Sequence, residues 1–191
     1  MTTYLLILIG AVFVNNIVLA QFLGVCPILG VSKKLDTAVG MSGAVAFVLA
    51  VATIITFLVQ KLVLDPFGLA FMQTIVFVLI ISSLVQLVET ILRKTAPALY
   101  QALGVFLPLM STNCAILGVA IMVINREFTL LESVVFSISS AIAFGLALII
   151  FAGIREQLEL SNVPKEMKGA PVAMLTIGLL AMAFMGFAGI V

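Results

Sequence analysis

Apolar residues run along this chain in long stretches separated by short polar breaks. Six stretches stand out, at about 4–31, 38–60, 68–91, 98–123, 129–153 and 170–190. Runs of about 20 apolar residues are long enough to cross a ~30 Å hydrocarbon core as helices. The pattern therefore predicts an all-α integral membrane protein with six transmembrane helices. The breaks carry most of the charge: residues 32–36, 60–66, 93–95, 125–127 and the longest, 155–169. Asp65-Pro66 predicts a helix N-cap with proline at the first helical position. The start, Met1-Thr2-Thr3-Tyr4, has no basic n-region, so the first stretch is expected to be a mature span.

Composition narrows the function classes. Of 191 residues, 64% are apolar and only 9% charged, against roughly 25% charged in a soluble domain. Mean hydropathy is +1.39. So few charges cannot solvate a globule of this size, which excludes a soluble enzyme, a nucleic-acid binder and a disordered tail. A net charge of +1 offers no basic footprint for a polyanion. The absence of His and the presence of only two Cys exclude a self-contained zinc site or a disulfide framework. No break exceeds about 15 residues, so flavin or nucleotide chemistry must belong to a partner chain.

Lys and Arg predict the orientation. The first, third and fifth connections hold Lys33, Lys34, Arg93, Lys94, Arg155, Lys165 and Lys168, while the other face holds only Lys61 and Arg126. The richer face is expected in the cytoplasm, with both termini outside.

The chain also resembles itself. Cys26-Pro27-Ile28-Leu29-Gly30-Val31 matches Cys114-Ala115-Ile116-Leu117-Gly118-Val119, and Phe22-Leu23 matches Phe106-Leu107. Residues 42–50 match residues 139–147 with six identities in nine. The halves, 1–95 and 96–191, form one membrane domain with three spans each. An odd number of spans makes the second copy enter from the opposite side, which predicts two inverted repeats. The first helix of each repeat is irregular, with Gly24, Pro27 and Gly30 around Cys26, and Gly104, Pro108 and Gly118 around Cys114. Proline removes a backbone donor and glycine permits close approach. Both first helices are therefore expected to be broken, and such breaks point to a midplane site.

The two cysteines fall at equivalent places in these breaks. A buried Cys is ordinarily a small apolar filler, and a disulfide in a bilayer core would do nothing evident. Thiolates without His select soft metals: copper(I), zinc or iron–sulfur. A [2Fe–2S] cluster takes four Cys, so this chain would supply half of the ligands and a second chain the rest.

These residues resemble a known family. Asn15-Asn16-Ile17-Val18-Leu19, Phe22-Leu23-Gly24-Val25-Cys26-Pro27, Gly30-Val31-Ser32-Lys33-Lys34, Gly104-Val105-Phe106-Leu107-Pro108-Leu109, Thr112-Asn113-Cys114-Ala115 and Gly153-Ile154-Arg155-Glu156 are similar to the A subunit of the Rnf complex. Asn162-Val163-Pro164 and residues 183–187 fit it too, so the likeness covers essentially the whole chain. The E subunit of the sodium-pumping NADH:quinone reductase is a close relative and the alternative.

The resemblance implies a membrane complex that passes electrons between ferredoxin and NAD, coupled to Na⁺ or H⁺ movement. It implies a bacterial cytoplasmic-membrane location. It also implies a homologous subunit of opposite orientation, each giving two Cys to an intramembrane [2Fe–2S] cluster, with Cys26 and Cys114 the matching positions. Flavin, nicotinamide and soluble iron–sulfur sites belong to other subunits. The chain is thus expected to be one component of a redox enzyme, not catalytic alone. An inverted-repeat secondary transporter, with the cysteines as packing residues, is the rival class.

Other polar residues have two readings. Asn15 and Asn16, near the bilayer middle of span one, are interhelical glue or line the cluster pocket or an ion path. Asn113, beside Thr112 and Cys114, can hydrogen-bond a cluster sulfur. Glu89 is an ion-path candidate or the partner of Arg93 in an i, i+4 surface pair. Glu132 reads as interfacial, and Arg155-Glu156 as an anchor or docking surface.

Overall fold

The computed structural model describes residues 2–31, 35–68, 70–95, 101, 109, 112–160 and 169–186. Among them every element is helical. We number the principal helices α1 (Thr2–Ile9), α2 (Val25–Val31), α3 (Leu35–Val59), α4 (Gln73–Thr95), α5 (Cys114–Asn125), α6 (Leu130–Leu160) and α7 (Ala170–Met185). Two of them run on into π-helical turns: α1 through Gly10–Val14, and α3 through Gln60–Leu64.

Among the described residues, three helical stretches are long and apolar enough to cross a bilayer: Leu35–Leu64, Gln73–Ile91 and Leu130–Leu160. Their outward faces stay apolar, with Leu62, Leu79, Leu131 and Ile142 exposed, as expected where the solvent is lipid. The first apolar stretch is interrupted. Helix ends at Val14 and resumes at Val25, so the first stretch is broken upstream of Cys26, while Cys26, Pro27 and Gly30 themselves lie within α2. The start of the fourth stretch, with Gly104 and Pro108, lies outside the described residues, as do Lys33, Lys34, Lys165 and Lys168. Helix α5 begins inside that stretch, at Cys114.

The centre of the molecule is the pair α3 and α6, which make the most extensive contact of any two elements. They are antiparallel. Leu35 shares a cavity with residues 149–158, while Gln60 at the other end shares one with Thr129. Met41, Val45 and Leu49 of α3 and Phe144, Leu148 and Phe151 of α6 are buried between the elements. Gly145 lets them approach: a Cβ there would stand 3.3 Å from Ser42 Cβ, the small-residue packing of membrane helices. Buried hydroxyls of Thr53, Thr56 and Ser139 donate to carbonyls three or four residues back, at 2.7–3.2 Å. They need no other partner in an apolar interior.

Two sequence expectations are corrected. Asp65-Pro66 is not the start of a new helix. Asp65 has helical φ −64 and ψ −45 and its amide donates to Gln60 O, so the helix of the second stretch runs to Phe67 and stops at left-handed Gly68. An N-cap needs non-helical backbone, which this continuing turn does not offer. The fifth stretch likewise does not give way to a loop at Arg155. Helix α6 continues to Leu160, because Arg, Glu, Gln and Leu are good helix formers and α6 can leave the membrane without unwinding.

Candidate metal-ligand site

The break between α1 and α2 is organised by Asn16, which is 1% exposed. Its Oδ1 accepts from the amides of Val18 (3.0 Å) and Leu19 (3.4 Å), and its Nδ2 donates to Val12 O (3.2 Å) and Ala143 O (3.3 Å). All four hydrogen-bonding positions of the carboxamide are used. Asn16 thereby replaces helix bonds lost at the break and ties it to α6. Asn15 is exposed and caps the π turn, its amide donating to Gly10 O. The loop closes further through Ala20 N to Asn16 O and Leu23 N to Ile17 O.

The loop delivers Gly24 to the cysteine of the other half. The Gly24 amide donates to Cys114 Sγ at 2.9 Å. Gly24 has φ +83, and a Cβ there would lie 2.9 Å from Phe144 Cε2 and 3.1 Å from Ala115 Cβ. Only glycine suits that backbone and that space. Cys26 follows two residues on, in the first turn of α2, and is exposed; Cys114, the first residue of α5, is half-buried. Neither forms a disulfide.

Packing around the cysteines is reciprocal. A Cβ on Gly118 of α5 would meet Leu23 Cδ1, just before Cys26, at 2.6 Å. A Cβ on Gly30 of α2 would meet Leu109 Cδ2, shortly before Cys114, at 3.1 Å. Gly30 and Gly118 are the two glycines of the matching Cys-x-Ile-Leu-Gly-Val segments. Each closes on a leucine of the opposite half.

Asn113 is the N-cap of α5, with Oδ1 accepting from Ala115 N at 3.0 Å. That bond fixes which end of the amide is oxygen. Its Nδ2 is buried and has no partner in the structure. An orphaned buried donor next to a thiol suits a sulfur-rich acceptor. Thr112 is an exposed turn residue just upstream. Arg155 contributes from α6: its Nη1 donates to Leu29 O at 2.8 Å, satisfying a carbonyl at the end of α2.

Glu89 is half-exposed on α4, one turn before Arg93, and the described contacts do not join it to the cysteines. Glu132 reaches back to Thr129, its carboxylate accepting from the Thr129 amide (3.0 Å) and hydroxyl (2.9 Å), the acidic half of a capping box. Sequence reasoning missed Gly24 as a sulfur donor and Arg155 as a carbonyl cap, because neither pairing has a local signature. The matched Cys-x-Ile-Leu-Gly-Val segments were the signal that the two breaks belong together.

The family model for the Rnf-Nqr subunit, a membrane protein, matches residues 4–191. The chain belongs to the Rnf-Nqr family. This Rnf-Nqr chain is 56% identical to the A subunit of the Na⁺-translocating ferredoxin:NAD⁺ oxidoreductase complex of Acetobacterium woodii, over 98% of this chain and 97% of the relative. It is also 56% identical to the A subunit of an ion-translocating oxidoreductase complex of Syntrophotalea carbinolica, over 100% of this chain and 99% of the relative. The corresponding Vibrio cholerae protein is 50% identical over 100% and 99%.

Proposed function

We propose that this chain is the A subunit of an ion-translocating ferredoxin:NAD⁺ oxidoreductase complex in a bacterial cytoplasmic membrane. In this reading Cys26 and Cys114 are two of the four ligands of an intramembrane [2Fe–2S] cluster, completed by a homologous subunit of opposite orientation. Electrons cross the membrane by way of this pair, coupled to Na⁺ or H⁺ movement. The chain has six spans in two inverted repeats, with both termini outside. Flavin, nicotinamide and soluble iron–sulfur sites lie on other subunits.

One observation carries the reading: the Gly24 amide of one half reaches the Cys114 sulfur of the other. The residues fit the group. Two thiols stand on two helix-initiating segments, one of them exposed and free to take a ligand from outside this chain. A backbone N–H already points at one sulfur, and Asn113 Nδ2 is a further donor without a partner. Gly118 closes on Leu23 and Gly30 on Leu109, so the cysteine segment of each half packs against the other. A [2Fe–2S] cluster held there supplies one-electron redox chemistry, its potential tuned by hydrogen bonds to sulfur.

The chain's own residues do the rest. Asn16 and Arg155 hold the two ends of the broken first span in place. Gly24 and Asn113 set the polarity around Cys114, while Phe144 and Ala115 pack against Gly24 and keep water from it. Co-expression tests the shared site. Iron is expected in the purified pair of homologous subunits and not in this chain alone. Stoichiometric iron in the lone chain, or none in the pair, contradicts the proposal.

A further inference from the structure

The turn between α5 and α6 sends its two charges to opposite sides. Arg126 caps α5, its amide donating to Met122 O at 3.0 Å. Glu127 follows with a left-handed backbone, φ +52, a conformation uncommon outside glycine. Glu127 borders a cavity against α3, with Phe57 and Gln60, whereas Arg126 borders a groove against α1. The Arg126 guanidinium lies 5.5 Å from the centre of the Phe136 ring. Phe128 packs on that ring at 5.6 Å between centres, so the cation rests on a fixed aromatic face. Among the described residues it has no ion-pair partner. Glu132 stands one turn before Phe136 on α6, but its carboxylate engages the Thr129 amide and hydroxyl.

The groove measures about 280 Å³. Its α1 wall is Leu6, Ile7, Gly10 and Ala11, followed by Asn15. Spacing of three and four residues puts the apolar four on one helix face. Gly10 leaves that face open, since a Cβ there would meet nothing within 4 Å. Tyr4, one turn nearer the chain start and exposed, is of a type enriched at membrane–water interfaces. Arg126 itself lies in the turn just before the bilayer-length helix α6.

An occupant has two demands to meet: an anion for an arginine at the membrane boundary, and apolar surface for the helix face beside it. A soluble anion meets only the first. A zwitterionic lipid brings its own ammonium to its phosphate. An anionic phospholipid meets both, because a phosphate fits the planar donor fork of arginine and an acyl chain can lie along an open apolar stripe. Basic pockets between membrane helices hold anionic head groups on the same grounds.

We infer that the groove between α1 and the α5–α6 turn binds one anionic phospholipid, with Arg126 on its phosphate and Leu6, Gly10 and Ala11 along its chain. The site is separate from the cysteines and goes beyond the proposed function.

Native mass spectrometry of the purified full-length chain, released from micelles holding equal phosphatidylglycerol and phosphatidylcholine, tests it. The parent is expected to retain one phosphatidylglycerol in preference to phosphatidylcholine. Arg126→Gln is expected to weaken that retention about tenfold, as the loss of a charge-assisted pair does. Gly10→Leu fills the open stripe and is expected to weaken it likewise. Lys61→Gln is the control, because Lys61 is a second cation at this end but stands over Phe57 at 5.3 Å, beside the cavity that Glu127 borders. Its loss is expected to leave retention unchanged, and excess inorganic phosphate is expected not to compete. Arg126 is an exposed turn residue, so its variant reports even if Gly10→Leu fails to fold. Equal retention of the two lipids by the parent would overturn the inference. So would undiminished retention in Arg126→Gln or in folded Gly10→Leu, an equal loss in Lys61→Gln, or displacement by inorganic phosphate.

Discussion

The amide nitrogen of Gly24 stands 2.9 Å from the sulfur of Cys114, across 90 residues of chain. This bond joins the break in the first apolar stretch to the start of α5, and it brings Cys26 into the same neighbourhood. Two segments that match in sequence thus meet in space through a residue that only glycine can occupy. The junction and each of its supports have measurable consequences.

Gly24→Ala puts a Cβ on a left-handed backbone and against Phe144 and Ala115. The expected cost is about 1–3 kcal/mol, the usual range for such strain. If the amide moves off Cys114, the sulfur loses a donor that favours the more negative, reduced state, so the midpoint potential falls. Thermal unfolding and an EPR-monitored redox titration of the complex check both. Unchanged stability together with an unchanged potential would count against the junction.

Asn16→Ala removes a carboxamide that makes four hydrogen bonds in the break. Orphaning its buried partners is expected to cost about 1–3 kcal/mol. Asn16→Asp keeps the acceptor for Val18 and Leu19 but loses the donors to Val12 and Ala143, and it buries a charge. It is therefore expected to be no more stable than the alanine variant. Chemical-denaturation midpoints in detergent rank the two.

Asn113 separates two roles on one side chain. Asn113→Ser retains an N-cap acceptor for Ala115 and lacks Nδ2, so folding is expected to be near normal while the cluster potential drops. Asn113→Ala loses the cap as well, at about 1 kcal/mol. Equal potentials in parent and serine variant would show that Nδ2 faces something other than the cluster.

Much of the fold was legible because lipid simplifies the code. Long apolar runs become helices with little ambiguity: α3, α4 and α6 fall on the expected 38–60, 68–91 and 129–153, although α4 starts only at Gln73 and α6 runs on to Leu160. Ends were harder to read. Asp65-Pro66 has the chemistry of a helix start, yet the π turn at Gln60 carries the earlier helix through it. Arg155 reads as a loop charge, but α6 goes on past it as a helix. At the site, the paired cysteines, the broken first stretch and Asn113 were visible in the repeat. The Gly24 amide and the Arg155 cap were not, because each is defined by a partner distant in sequence.

Arg155→Ala removes the donor to Leu29 O that anchors the end of α2. A charged hydrogen bond of this kind contributes about 1.5–3 kcal/mol. Lysine can offer one donor from a more flexible stem, so Arg155→Lys is expected to recover part of the loss. Rates of cysteine alkylation at Cys26 in membranes report the loosening: faster in alanine than in lysine, and slowest in the parent. Equal rates in all three would remove Arg155 from the account.

The shared iron centre is tested most directly by EPR and iron analysis of the reduced, fully assembled complex carrying Cys26→Ser or Cys114→Ser. The account predicts that each variant assembles yet loses one [2Fe–2S] signal and its two irons. Full iron and an unaltered spectrum in both variants would contradict it.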